Sequence, residues 1–121
     1  MNGSCEWFIP DCYWPEITTP GHYVSHEAIC VLNTGDADAN ISITLYFEDA
    51  EPRTGFTANC PARRTHHIRL DKLLDADGRH IPTGVPYAIA LSSSVPVYAQ
   101  YSRLDTTQSN MSLMTTIAAA K

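Results

Sequence analysis

The chain has 121 residues, of which 44% are hydrophobic and 17% charged, and it carries a net charge of -5 at pH 7. That length supports one core and excludes two, so a single domain over residues 1–121 is expected. No apolar run approaches the roughly 20 residues of a membrane-spanning helix, and the acidic balance opposes the long-range attraction to phosphate on which nucleic-acid binding depends.

The opening "MNGSCEWFIPD" has neither the basic nor the apolar region of a secretory leader, so the expected compartment is the cytoplasm. Cys5, Cys12, Cys30 and Cys60 are accordingly expected to be thiols. "DCYWPEITTPG" reads as an N-terminal loop. Next, "AICVL" forms a short strand apolar on both faces, and after the turn residues of "NTGDADA" the segment "NISITLYFED" alternates cleanly. Ile41, Ile43, Leu45 and Phe47 take one face, and Ser42, Thr44, Tyr46 and Glu48 the other. These two strands read as a hairpin. "RTGFTANC" alternates weakly through Phe56, Ala58 and Cys60, and "RRTHHIRL" follows with Ile68 and Leu70 on one parity and Arg63, Thr65, His67 and Arg69 on the other. "LDKLLDADGRHIPTGVP" holds one helical turn and a loop. "YAIALSS", "VPVYAQYSRLD" and "MSLMTTIAA" complete the set as separate short strands. Seven to eight short strands without an amphipathic helix predict an all-β, antiparallel sandwich of jelly-roll type.

The charge is unevenly distributed. Met1 to Pro52 holds nine carboxylates and no Lys or Arg, whereas Arg53 to Lys121 holds eight basic and four acidic residues. Either the halves lie against each other in the fold, or they present opposite patches to partners. The densest basic stretch places three arginines and two histidines in the seven positions from Arg63 to Arg69. On a strand, Arg63, Thr65, His67 and Arg69 share a face at a spacing of about 7 Å, an arrangement of guanidinium forks suited to anions or polyols. The competing reading pairs these arginines with the carboxylates of the first half. His26, Glu27 and Asn33 on one strand, and Arg103 and Asp105 at the end of another, add polar groups at strand ends, where sites are commonly built.

Four stretches taken together, "SHEAICVLNTGDADANISITLYFED", "PARRTHHIRL", "IPTGVPYAIALSSSVPVYAQYSRLD" and "TTIA", resemble the sensory rhodopsin transducer family from about Trp7 to Ala118. The most specific parts are Ser25-His26-Glu27 followed by "CVLNT", the Pro61–Arg69 run and "QYSRLD". Cys60 stands where the pattern has a branched apolar residue, and "DCYWPEITTPG" is individual to this chain. The resemblance implies a cytoplasmic β-sandwich that assembles as a homotetramer and binds rather than catalyses. It also implies two kinds of partner: the cytoplasmic face of a membrane photoreceptor, a sensory rhodopsin, or a small sugar-like ligand. The candidate ligand-binding residues are then His26, Glu27, Asn33, Arg63, His67, Arg69, Arg103 and Asp105, with no catalytic residue, metal or cofactor expected.

Catalytic and metal chemistry find little support in the residue spacing. His26 and Cys30 share a strand face more than about 10 Å apart, too far for one zinc. Cys5 and Cys12 lack zinc-knuckle spacing, and neither a nucleophile elbow nor a phosphate loop occurs. The alternative function is a sugar or polyol enzyme using a pocket of His, Glu and Arg, with Glu27 and Asp105 converging as paired carboxylates.

Overall fold

The computed structural model describes residues 3–16, 24–108 and 111–121. Eight strands form in chain order: β1 Ser4–Tyr13, β2 His26–Asn33, β3 Ala39–Phe47, β4 Arg53–Cys60, β5 Arg64–Arg69, β6 Pro86–Asp105, β7 Ser112–Ile117 and β8 Ala119–Ala120. All named pairings are antiparallel. They build two layers, β4-β3-β6-β1-β8 and β5-β2-β6-β7, with β6 common to both. This is the all-β sandwich the sequence predicts. Among the described residues no helix is long and apolar enough to cross a membrane.

β6 organises the architecture. Its first part pairs with β1 and β3 in the first sheet, and its second part, from Tyr98, pairs with β2 and β7 in the second. "YAIALSS" and "VPVYAQYSRLD", expected as separate short strands, are therefore one strand of 20 residues. The serines between them mark a corner rather than a break. There the register against β1 jumps from Ser92 opposite Glu6 to Val97 opposite Ser4, a bulge at the point where the strand changes sheets. Serine hydroxyls take over lost ladder bonds: Ser94 Oγ accepts from the Asn40 amide at 2.9 Å, and Ser93 Oγ from the Val95 amide at 3.4 Å.

β3 alternates as expected, with Ile41, Ile43 and Leu45 buried against Phe56, Leu91, Val31 and Ile29. The expected hairpin between β2 and β3 does not form. β2 lies in the second sheet between β5 and β6, whereas β3 lies in the first and forms its hairpin with β4. Residues 34–38 thus cross between layers. The apolar pattern was compatible with either partner because β2 is buried along one face and half-covered along the other. The N-terminal loop also needs correction: Asp11, Cys12 and Tyr13 end β1, which buries Trp7, Ile9 and Cys12. The rest of that stretch from Ile17 onward lies outside the described residues. The expected helical turn is present as a 3-10 turn at Leu70–Lys72.

The two charge-rich halves touch only lightly. Arg63 meets Asp36 at 2.8 Å and Lys121 meets Glu6 at 3.7 Å, both in exposed positions. The better-covered pairs lie within the second half, above all around Asp75. Its Oδ1 accepts the Asp77 and Arg79 amides, while Oδ2 takes Arg53 at 2.8 Å and tethers β4 to the loop before β6. The Arg79 amide, the Arg53 side chain and the Asp77 amide hold this carboxyl down at about 2. A depressed native value means that the associated stability is present above the ordinary carboxylate range and is lost as pH falls from about 3.8 toward 2. Asp75→Asn is therefore expected to lower the melting temperature at neutral pH and to flatten the acid limb of the stability curve. Thermal denaturation from pH 2 to pH 7 checks this, the two proteins converging at the acid end.

Candidate functional site

Glu27 follows the inward parity of β2, in line with Ile29 and Val31, so backbone geometry carries a carboxyl into the interior. It is 1% exposed. Such a group is tolerated only when its lone pairs are met, and three donors meet them. The Tyr13 amide donates to Oε2 at 3.0 Å, the Tyr87 hydroxyl donates to Oε1 at 2.5 Å, and the Tyr101 hydroxyl donates to Oε2. Tyr87 lies on the first-sheet part of β6 and Tyr101 on the second-sheet part, so one carboxyl ties both layers through the strand they share.

Burial raises the Glu27 carboxyl above its ordinary value of 4.5, outweighing the hydrogen bonds of Tyr101, Tyr87 and Tyr13 and the charge of Arg103. Burial first, then the Glu27 charge, also pushes up the Cys12 thiol and the two tyrosine hydroxyls. Cys12 is thus an inert thiol rather than a nucleophile. All four cysteines are free.

Beside this cluster, at the end of the sandwich, Tyr13, Arg103, Asp105, Ser112, Leu113 and Met114 line a cleft of about 590 Å³. Arg103 pairs with Glu27 in register and shares the inward parity of Ala99 and Tyr101. Its half-buried guanidinium acts on Glu27, Cys12 and Asp105 through space, yet among the described residues it forms no ion pair or hydrogen bond. Asp105 Oδ1 accepts the Thr107 amide at 2.9 Å, and bonding to Thr107 is the main cause of its lowered pKa. The cleft therefore offers a planar cationic donor, a carboxylate bonded to Thr107, and the Ser112 and Tyr13 side chains.

The eight sequence candidates do not form one site. Glu27, Arg103 and Asp105 gather at the cleft, with Glu27 beneath it and sealed. His26 stands at the same strand end on the opposite face, its Nδ1 bonded to the Val24 carbonyl oxygen at 2.8 Å. His67 and Arg69 face outward on β5, as expected. His67 lines a hollow of about 270 Å³ with Cys30, Leu32, Gln100 and Ile117, and Arg69 is clamped by both oxygens of Asp71 at 2.8 Å. Its partner is thus a near neighbour in the second half, not a first-half carboxylate.

Arg63 is not on the strand at all. It occupies the turn before β5 with φ of 57° and pairs in the open with Asp36, so the expected row of four side chains reduces to Thr65, His67 and Arg69. Asn33, fully buried at the far end, is a brace: its Nδ2 donates to the Ala37 and Cys60 carbonyls and its Oδ1 accepts the Gly35 amide, fixing the crossing between layers. Among the described residues no group of three or more His, Cys, Asp or Glu side chains could hold a metal ion.

Cys12, Tyr13, Tyr87, Tyr101 and Ser112 were not anticipated. Parity held part of the signal, since Tyr87 alternates with Ile89 and Leu91, and Tyr101 with Ala99 and Val97. A core tyrosine needs a hydroxyl partner, and Glu27 shares the parity of β2's core residues.

Because the native state holds the Glu27 proton more tightly than the unfolded chain, stability from this group is full below pH 4.5 and is lost as pH rises through the raised value. Glu27→Gln, which mimics the protonated acid, is expected to remain within about 1 kcal/mol of the parent in mildly acid solution and to gain on it as pH rises. Glu27→Ala, which strands two hydroxyls and opens a cavity, should cost about 2–4 kcal/mol. Urea denaturation of the three proteins between pH 4 and pH 9 measures both differences.

Residues 2–120 match the Anabaena sensory rhodopsin transducer family. Among solved structures, the crystal structure of Thermotoga maritima 1070 is 42% identical, covers all of this chain and 97% of that one, and superposes with a TM-score of 0.88. The Anabaena sensory rhodopsin transducer is 38% identical over 88% of this chain and 93% of its own, with a TM-score of 0.74. No curated protein is a significant match. With the sandwich and nearly the full length of the chain in agreement, this protein belongs to the Anabaena sensory rhodopsin transducer family.

Proposed function

We propose that this protein is a cytoplasmic, non-enzymatic signalling module that works as a homo-oligomer, specifically a homotetramer, and responds to a bound partner. The partner is either the cytoplasmic face of a sensory rhodopsin or a small sugar-like ligand. Family membership supports the signalling role, and the name of the 38% identical relative, a sensory rhodopsin transducer, supports a photoreceptor as one partner.

The observation that carries ligand binding is the Arg103 guanidinium, which stands in the cleft beside Asp105 and forms no ion pair or hydrogen bond among the described residues. A guanidinium next to a carboxylate presents donors and acceptors together, which vicinal hydroxyls satisfy in both senses. The enzyme alternative requires two carboxylates facing one substrate. Glu27 is sealed beneath the cleft with three donors already on it, which leaves Asp105 alone in the open.

Self-association is supported by the outer face of the second sheet. Leu32, Leu113 and Ile117 are exposed there, around Ala28 and Cys30, and such a patch is characteristic of subunit contacts.

Thermal-shift measurements against a panel of neutral and acidic sugars and polyols, with product analysis of the same mixtures, test this reading. Stabilisation without turnover is expected from part of the panel. Arg103→Ala should abolish that stabilisation while changing the unliganded protein by no more than about 1 kcal/mol. Turnover of any panel member would overturn the non-enzymatic reading.

A further inference from the structure

The carboxylates of the first half find few cations within the fold. Glu6 and Asp36 have exposed ion pairs, and Glu27 is buried. Asp11, Glu48, Asp49 and Glu51, by contrast, form no ion pair or hydrogen bond among the described residues. These four stand along one groove.

Two hollows make up the groove. The first, of about 380 Å³, is walled by Phe47, Pro82, Val85 and Pro86 and edged by Glu48, Asp49 and Glu51. The second, of about 440 Å³, adds Pro10, Asp11, Tyr46 and Ala88. Phe47, Glu48 and Pro86 line both, so the hollows are continuous. The one basic lining residue, Arg53, is committed elsewhere: its guanidinium bonds Asp75 at 2.8 Å and lies over the Phe56 ring at 5.3 Å. An apolar groove is thus edged by four carboxylates that nothing among the described residues neutralises.

We infer that this groove docks a basic, extended peptide segment of a partner protein. The apolar residues of the segment lie against Tyr46, Phe47, Val85 and the prolines, and its Lys or Arg side chains stand among Asp11, Glu48, Asp49 and Glu51.

Charge selects the sign of the occupant. Apolar walls edged by charges of one sign focus the field and concentrate the opposite charge, so an acidic segment is repelled. Shape selects the class. The groove crosses β1, β6 and β3, which are neighbours in the first sheet, and continues to Arg53 at the start of β4. Three interstrand spacings make roughly 14 Å, the length of about four extended residues. Aromatic and proline walls suit an extended segment, and a guanidinium stacks favourably on Tyr46, which is 48% exposed. An apolar centre inside a charged rim is also the ordinary anatomy of a protein contact. The groove shares no lining residue with the Arg103 cleft, so it stands whichever partner that cleft serves, and its failure leaves the cleft untouched.

Fluorescence anisotropy with labelled short peptides that combine Lys or Arg with Pro and Leu tests the groove. Saturable binding that weakens with salt is expected, with none for counterparts carrying Glu in place of the basic residues. Glu48→Lys/Glu51→Lys, at two exposed positions, is expected to weaken it on the order of tenfold or more. Glu6→Lys/Asp36→Lys makes the same change in net charge outside the groove and should stay within about twofold of the parent. Equal losses in the two double variants would overturn the groove in favour of net charge alone. Amide chemical-shift mapping on the parent keeps the test independent of variant folding: shifts at Tyr46, Phe47, Val85 and Ala88 are expected, and shifts elsewhere without these would overturn it. Absence of binding at low salt, equal binding of the Glu-containing peptides, or equal affinity for spermine, which marks a site for small polycations, would also overturn it.

Discussion

The Glu27 carboxyl is the interaction on which the rest of this molecule depends. A sandwich whose layers share one strand must control the relation between that strand's two parts, and here Tyr87 and Tyr101, one on each part of β6, donate to the same side chain. Replacing such an arrangement wholesale with apolar residues could preserve stability. It could not preserve the directional link, because hydrophobic contacts fix no hydroxyl in place. The cost of burying the carboxyl is visible in its raised pKa, and the three hydrogen bonds only partly offset it.

That link places the interior next to the surface. Arg103 lies in register with Glu27 and lines the open cleft, so its guanidinium acts on the buried carboxyl and on Asp105 together. On the proposed reading, a group bound at Arg103 would alter the field at Glu27, and with it the balance between the charged and neutral acid that both tyrosines face. From the cleft, β6 runs to the corner at the far end of the sandwich and returns through the first sheet to Tyr87 beside Glu27, while β7 extends the same cleft wall toward an open edge. Signalling of the proposed kind needs no moving domain. It needs one site whose occupancy biases a bonded cluster and one surface that a second subunit or receptor reads.

Fold class was legible because β3 alternates cleanly and the later segments are short and rich in β-branched or aromatic residues, and the weakly alternating "RTGFTANC" coincides with β4. What pairs with what was less legible. The hairpin expected from β2 and β3 failed because a buried polar residue, Asn33, and not a turn type, directs the crossing between layers; its three hydrogen bonds reach Gly35, Ala37 and Cys60. The two parts of β6 read as separate strands because serines resemble a break when their hydroxyls serve the backbone at a bulge. Arg63 was assigned to a strand face because parity takes no account of a positive φ at a non-glycine residue. Of the site, Arg103 and Asp105 were legible from polar residues at a strand end. Tyr13, Tyr87 and Tyr101 were not, since their roles come from convergence of β1, β2 and β6 over separations of 14, 60 and 74 residues.

The central claim is that Glu27 is an interior acid whose proton is held by burial against the pull of its tyrosine donors. Carbon-13 NMR titration of its side-chain carboxyl, assigned by comparison with Glu27→Gln, observes that proton directly. The account predicts an inflection clearly above the ordinary value of 4.5. An inflection at or below that value would show a carboxylate stabilised by its donors and would contradict the account.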